Sequence, residues 1–196
     1  AFLRLIAESR HRRDISFSMT QESNDDCIAG VQNFSLDVGF YNVVASRYLY
    51  FLDTIKKSGL EPKTLATMQG VICISKEHPL FHKENLTPAD FENEMFLDST
   101  NAALSRAMFD AGITKVKQDH GIISSQNYVR KELVRQGLAY EITYFIPNEQ
   151  EPGFRYIPVE GLSYKLIAMT NPLRSQTPEI DRFMELVQEE LRDANL

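Results

Sequence analysis

The hydrophobic period changes twice within residues 15–40, and nothing else in this 196-residue chain restricts the fold as much. Ile15, Phe17 and Met19 alternate with Ser16, Ser18 and Thr20, the period of two expected of a half-buried strand. Ser23, with Asp26 three residues on, resembles a capping box, and Cys27, Ile28 and Val31 then fall at helical spacing. Leu36, Val38 and Phe40 return to a period of two. Strand, helix and strand in this order predict a βαβ unit, a parallel pair joined by a right-handed crossover. Upstream, residues 2–12 predict an amphipathic helix ending in Arg10, Arg12 and Arg13, cations that suit the negative end of its dipole. The chain enters that helix with neither a cap nor a methionine, which reads as an edge with further sequence before Ala1.

The alternation continues downstream. Residues 44–58 carry Tyr48, Leu49, Leu52 and Ile55 at helical spacing, stopped by Gly59 and Pro62. Met68–Ser75 predicts an apolar strand, Thr87-Pro88 opens a short helix, and residues 95–97 predict another strand. A helix over 102–111, a strand over 113–118 and a helix capped by Ser124 and Ser125 and ended by Gly137 follow. Residues 138–146 predict a turn into a strand, 154–159 and 166–169 two more strands, and Pro178 opens a final helix. Such alternation makes an α/β protein with mainly parallel strands.

Composition excludes several classes. An apolar share of 43% with 24% charged residues is that of a globular chain, and a net charge of −6 disfavours a phosphate-binding surface. Cys27 and Cys73 are too few for a disulfide scaffold and lack metal spacing. The longest uncharged runs fall short of the ~20 residues that cross a membrane. With no signal peptide at the start, a cytoplasmic protein is expected.

Catalytic chemistry finds no footing. His78 and His82 are four apart, but Pro79 removes the helix that would align them, so no metal site is expected. No nucleophile elbow, phosphate loop or dinucleotide fingerprint is present, and no cofactor is expected. The polar clusters Ser99-Thr100-Asn101 and Ser124-Ser125-Gln126 each precede a helix. They read either as ordinary N-caps or as hydroxyls and amides that hold a small anion at the positive end of a dipole. Tyr41-Asn42, at the carboxyl end of strand 36–40, lies where open parallel sheets place ligands. Phe145 is a candidate for the apolar side of that cleft and equally for the core.

The order of motifs resembles the effector-binding domain of LysR-type transcriptional regulators. Leu36-Asp37-Val38-Gly39-Phe40, the run Val71–Ser75 with His78-Pro79-Leu80, and Leu86–Phe91 are similar to successive motifs of that family. So are Val134–Ala139, with Ala139 where glycine is usual, and the ending from Leu166 through Asn171-Pro172 to Phe183. The resemblance implies a type II periplasmic-binding-protein-like fold, two Rossmann-like α/β lobes joined by two crossover strands. Lobe I would hold 1–92 plus 167–196 and lobe II 93–166. It also implies a winged helix-turn-helix domain upstream, a small effector between the lobes, and a homodimer or tetramer that touches DNA only through the upstream domain. A solute-binding protein of the same fold is the alternative. The family's first strand and loop are absent, and residues 43–62 are longer than usual.

Charge makes one of these expectations testable. Residues 1–196 alone form no sequence-specific DNA complex at physiological salt, since a net −6 repels phosphate. Gel-shift titration against a random-sequence duplex and a candidate operator should show no difference between the two.

Overall fold

The computed structural model describes residues 1–98, 121–124, 126–175 and 177–196. The helix expected over 102–111 and the strand over 113–118 lie outside them. Two compact units emerge, the first made of 1–43, 47–67 and 165–196, the second of 44–46 and 68–164. Two strands, β2 (Glu61–Ser75) and β6 (Phe154–Thr170), run through both units. Along β2 the boundary between these units falls after Thr67. The reason is pairing: from Gly70 to Cys73 the strand is hydrogen-bonded to β5 (Tyr140–Tyr144).

In the first unit, α1 (Phe2–Glu8) and α5 (Pro178–Asp193) lie together, joined by ring contacts and ion pairs. The Phe2 and Phe183 rings meet edge to face at 6.2 Å, and Arg182 donates to both carboxylate oxygens of Glu8. The helix α2 (Asn24–Gln32) starts as expected, Ser23 Oγ accepting from the Asp26 amide at 3.2 Å. Its buried face, Ile28 and Val31, packs with Tyr41 and Val43 of β1 (Val38–Val44), Ile55 of α3 (Tyr48–Lys57) and Met169 of β6. The helix read at 44–58 is thus present, reduced to α3 and a short 3-10 turn, and its stop is Gly59, with a positive φ of 76°.

The strand expected at 15–20 is absent, and with it the predicted βαβ unit. Strands need a neighbour's backbone groups, and no described strand pairs with this segment. Its alternation is met by side chains alone: Phe17 packs edge-on against Phe2 at 6.4 Å, while Met19 is 75% exposed.

In the second unit, β2 is antiparallel to β5, with Gly70 opposite Tyr144 and Cys73 opposite Glu141. It is antiparallel to β6 as well, since Thr67 lies beside Lys165 while Lys76 donates its amide to Gly153 at the other end. The strand β3 (Phe96–Asp98) runs parallel to both β4 (Gly121–Ile123) and β5. The sheet, ordered β1-β6-β2-β5-β3-β4, is therefore mixed and not mainly parallel. One face of this unit's part of it buries Ile72, Phe96, Tyr140 and Ile142, with the Phe91 and Tyr140 rings 4.9 Å apart. The other face carries Cys73, Leu97, Ala139 and Glu141 beneath α4 (Asn127–Arg135). Two expected strands at 154–159 and 166–169 are one, because Gly161 takes a positive φ of 76° and lets β6 continue through the interruption.

Helix α4 ends in a Schellman turn: Leu138 N–H donates to Leu133 O at 3.1 Å and Gly137 N–H to Val134 O at 3.0 Å. Gly137 has φ 69°, and a Cβ there would stand 2.4 Å from the Glu77 carbonyl carbon and 2.7 Å from His78 N. Both the conformation and the contact demand glycine. Gly137→Ala should cost about 2–4 kcal/mol of stability, combining αL strain with a backbone overlap. Urea unfolding monitored by circular dichroism measures it, and a cost below about 1 kcal/mol would show that the turn yields.

Candidate effector site

Among the described residues the second unit holds a cavity of about 320 Å³ beneath α4. Its construction follows from the alternation of β5. Tyr140 and Ile142 point into the buried aromatic face, which leaves Glu141 and Thr143 on the opposite face, under the helix. From α4 come Asn127, Lys131 and Val134, one turn apart along a single side. Cys73 of β2, Ile146, Glu151, and Phe154 and Tyr156 of β6 complete the wall.

The charges here are paired. Arg130 donates to Glu141 Oε1, with 15% and 17% of the two side chains exposed. Glu151 meets Lys131 at 3.4 Å and Arg135 at 3.3 Å, and Arg135 also meets Glu132 at 3.2 Å. Burial pushes the Glu141 carboxyl above the ordinary carboxylate range, and Arg130 pulls it part of the way back. Burial likewise pushes the Cys73 thiol up to about 12, which leaves it a weak nucleophile.

The residues nominated from sequence fall in both units. Ser99, Thr100, Asn101 and Ser125 lie outside the described residues. Ser124 Oγ accepts from the Gln126 amide at 3.2 Å, and Gln126 is itself the N-cap of α4. Among the described residues no side chain caps that helix, and Ser124 makes a local turn with Gln126 instead. Tyr41 and Asn42 sit inside β1, whose end is Val44 and not residue 40. Tyr41 is only 2% exposed and packs on Phe51 at 4.8 Å, a core side chain of the first unit; Asn42 is exposed. Phe145 is half-buried against Tyr156, ring centres 5.6 Å apart, and donates its amide to Gln69 O at 2.9 Å. Its two neighbours, Tyr144 and Ile146, line the cavity. The carboxylate of Glu141 was missed because the strand 138–146 reads as apolar and aromatic; a lone Glu at a buried register position was its one signal.

His78 is buried. Its Nδ1 accepts from Leu80 N–H at 3.2 Å, and its Nε2 lies 3.8 Å from Glu94. Burial lowers its pKa and Glu94 opposes that. Among the described residues no three His, Cys, Asp or Glu side chains converge on a metal position, and no helix is long and apolar enough to cross a membrane.

Two α/β units sharing a pair of strands define a type II periplasmic-binding-protein-like fold. A profile of the LysR substrate binding domain matches residues 2–192, and the chain belongs to that family: it is an effector-binding regulatory domain of LysR type. No curated protein matches it in sequence. Among solved structures it is similar to full-length CbnR complexed with its target DNA, at 17% identity and a TM-score of 0.63, over 96% of this chain and 64% of that one. It is similar to a variant BenM effector-binding domain, at 13% identity and TM-score 0.66, over 99% of this chain and 89% of that one. A sulfate-bound mutant OxyR2 regulatory domain from Vibrio vulnificus gives 13% and 0.66, over 96% and 89%. The chain thus spans about two-thirds of a full-length relative.

Removing one partner of the Arg130–Glu141 pair leaves a buried charge unmatched. Arg130→Met should cost about 2–4 kcal/mol near neutral pH. Without Arg130 the folded-state pKa of Glu141 rises further above its unfolded value. The proton retained in the folded state then favours folding at low pH, and stability is lost as pH rises through that pKa. The deficit should therefore be larger at about pH 7.5 than at about pH 5, read from urea midpoints at both. An equal deficit at both would mean that Glu141 does not carry it.

Proposed function

We propose that this domain senses a small anionic or strongly polar metabolite and passes its presence to an attached DNA-binding domain, in the cytoplasm and without catalysing a reaction. The match of residues 2–192 to the LysR substrate binding domain carries this reading. Within the domain the effector's polar group is assigned to Ser99, Thr100 and Asn101 together with Ser124, Ser125 and Gln126. The uncapped start of α4 supports this, because its first-turn amides are not taken by a side chain and the dipole there is positive. Binding shifts the balance between two arrangements of the regulator by the effector's difference in affinity for them.

Assembly is the second part of the proposal. Leu3 on α1 is 80% exposed, and Ile6 of the same helix and Met19 downstream are exposed as well, which supports a homodimer formed along this edge. A specific interface would bury on the order of 1,600 Å² or more. Sedimentation at tens of micromolar should report a dimer; monomer alone would count against it.

The site is tested by a thermal-shift screen of metabolites followed by calorimetry. Thr100→Val keeps the shape and removes one hydroxyl, and should weaken the best ligand by roughly 1–3 kcal/mol without unfolding the protein. Unchanged affinity for every ligand found would remove Thr100 from the site.

A further inference from the structure

The cavity beneath α4 contains more polar chemistry than the packing of a helix on a sheet requires. Around it the seam is apolar, with Leu97, Val134 and Ala139 all buried. A carboxylate in such a place costs folding energy even when paired, so Glu141 calls for a use. Its Oε1 is taken by Arg130, whereas its Oε2 has no partner among the described residues. Two residues on, Thr143 faces the same cavity with a half-buried hydroxyl that likewise has no partner among the described residues. The guanidinium that orients Glu141 also has a buried Nε without an acceptor among the described residues. Glu141 and Thr143 form a short rail of acceptors set below the helix. At the rim, on exposed positions one turn apart in α4, stand the Asn127 amide and the Lys131 ammonium. Val134, Ile146 and Phe154 supply an apolar side.

Glu141 and Thr143 lie on the sheet side of the cavity and Asn127 and Lys131 on the helix side, where the Glu151 carboxylate also stands. The resident charges already balance: Arg130 with Glu141, Lys131 with Glu151, Arg135 with Glu132. A lone cation or a lone anion entering would leave one charge unmatched in a half-buried place, whereas a zwitterion adds one of each sign. The volume of about 320 Å³ suits a metabolite of modest size.

We propose that this cavity is a second binding site, for a small α-amino acid with an apolar side chain. The ligand's ammonium donates to Glu141 Oε2 and Thr143 Oγ. Its carboxylate accepts from Lys131 and Asn127, and its side chain lies against Val134, Ile146 and Phe154.

Three probes separate the contributions: L-leucine, 4-methylpentanoate, which lacks the amine, and 3-methylbutylamine, which lacks the carboxylate. Titrated calorimetrically into the 196-residue protein, L-leucine should bind at one site, and each single-charge analogue about tenfold or more weaker. Thr143→Val and the exposed Lys131→Met should each weaken L-leucine by about fivefold or more, with the melting temperature within a few degrees of wild type. Thr100→Val should leave its affinity unchanged. No saturable heat with L-leucine up to about 10 mM, or an analogue binding as well as L-leucine, would overturn the proposal. So would retention of wild-type affinity in both cavity variants. Loss of L-leucine binding in Thr100→Val would also overturn it, by moving the ligand to the other clusters while leaving the effector reading intact.

Discussion

The second unit depends on β2 being hydrogen-bonded on both sides, antiparallel to β6 and to β5. Gln69 holds the crossing: its backbone carbonyl accepts from Phe145 N–H at 2.9 Å, and its side-chain amide donates to Val159 O at 2.8 Å and Leu162 O at 3.1 Å. Gly70 follows because a Cβ there would stand 2.4 Å from Leu162 Cγ. With Gly70 opposite Tyr144, the pleat decides every side of β5. A slip of one residue would carry Glu141 and Thr143 to the aromatic face and bring Tyr140 and Ile142 under α4. Cross-strand register thus sets the cavity's chemistry before any contact with a ligand.

Much of the fold was legible in the sequence where two local signals agreed. The helices stopped by Gly59 and Gly137 and the final helix opened by Pro178 had both apolar spacing and a capping or breaking residue, and α3, α4 and α5 are where that reading put them. The motif order was sufficient to name the LysR resemblance, which the family match over 2–192 upholds. Failures came where one signal stood alone. Residues 15–20 alternate perfectly, yet alternation records which side chains want burial and not whether a backbone partner exists. Residues 154–159 and 166–169 read as two strands, whereas β6 runs through both as one. Long strands that join two units carry no local mark of their continuity.

The candidate site was harder to read than the fold, for a physical reason. A nominated residue such as Tyr41 looks the same in sequence whether its ring faces a cleft or a core; here the strand ends four residues later than expected, at Val44, and the ring packs in the core of the first unit. Glu141 presents the reverse problem. A single acid in an aromatic run is invisible as chemistry until its partner Arg130 arrives from a helix eleven residues away in the chain. In the seam between α4 and the sheet, desolvation outweighs the ion pair in setting the carboxyl's proton affinity, so geometry alone reveals what the residue does.

The close contact of Gly137 with the peptide between Glu77 and His78 makes α4 a part of fixed phase. One end of the helix is keyed against backbone, so its rotation about its own axis is no longer free. Each residue added or removed between Asn127 and Gly137 would turn the amino-terminal half by about 100° relative to that key. For a change between Lys131 and Leu133, Lys131 and Asn127 would swing away from the cavity while Leu133 and Val134 kept their seats. Length variation in this helix can therefore preserve the arrangement only in near-whole turns, and lineages of this domain should drift freely in the composition of its outer face but not in its residue count.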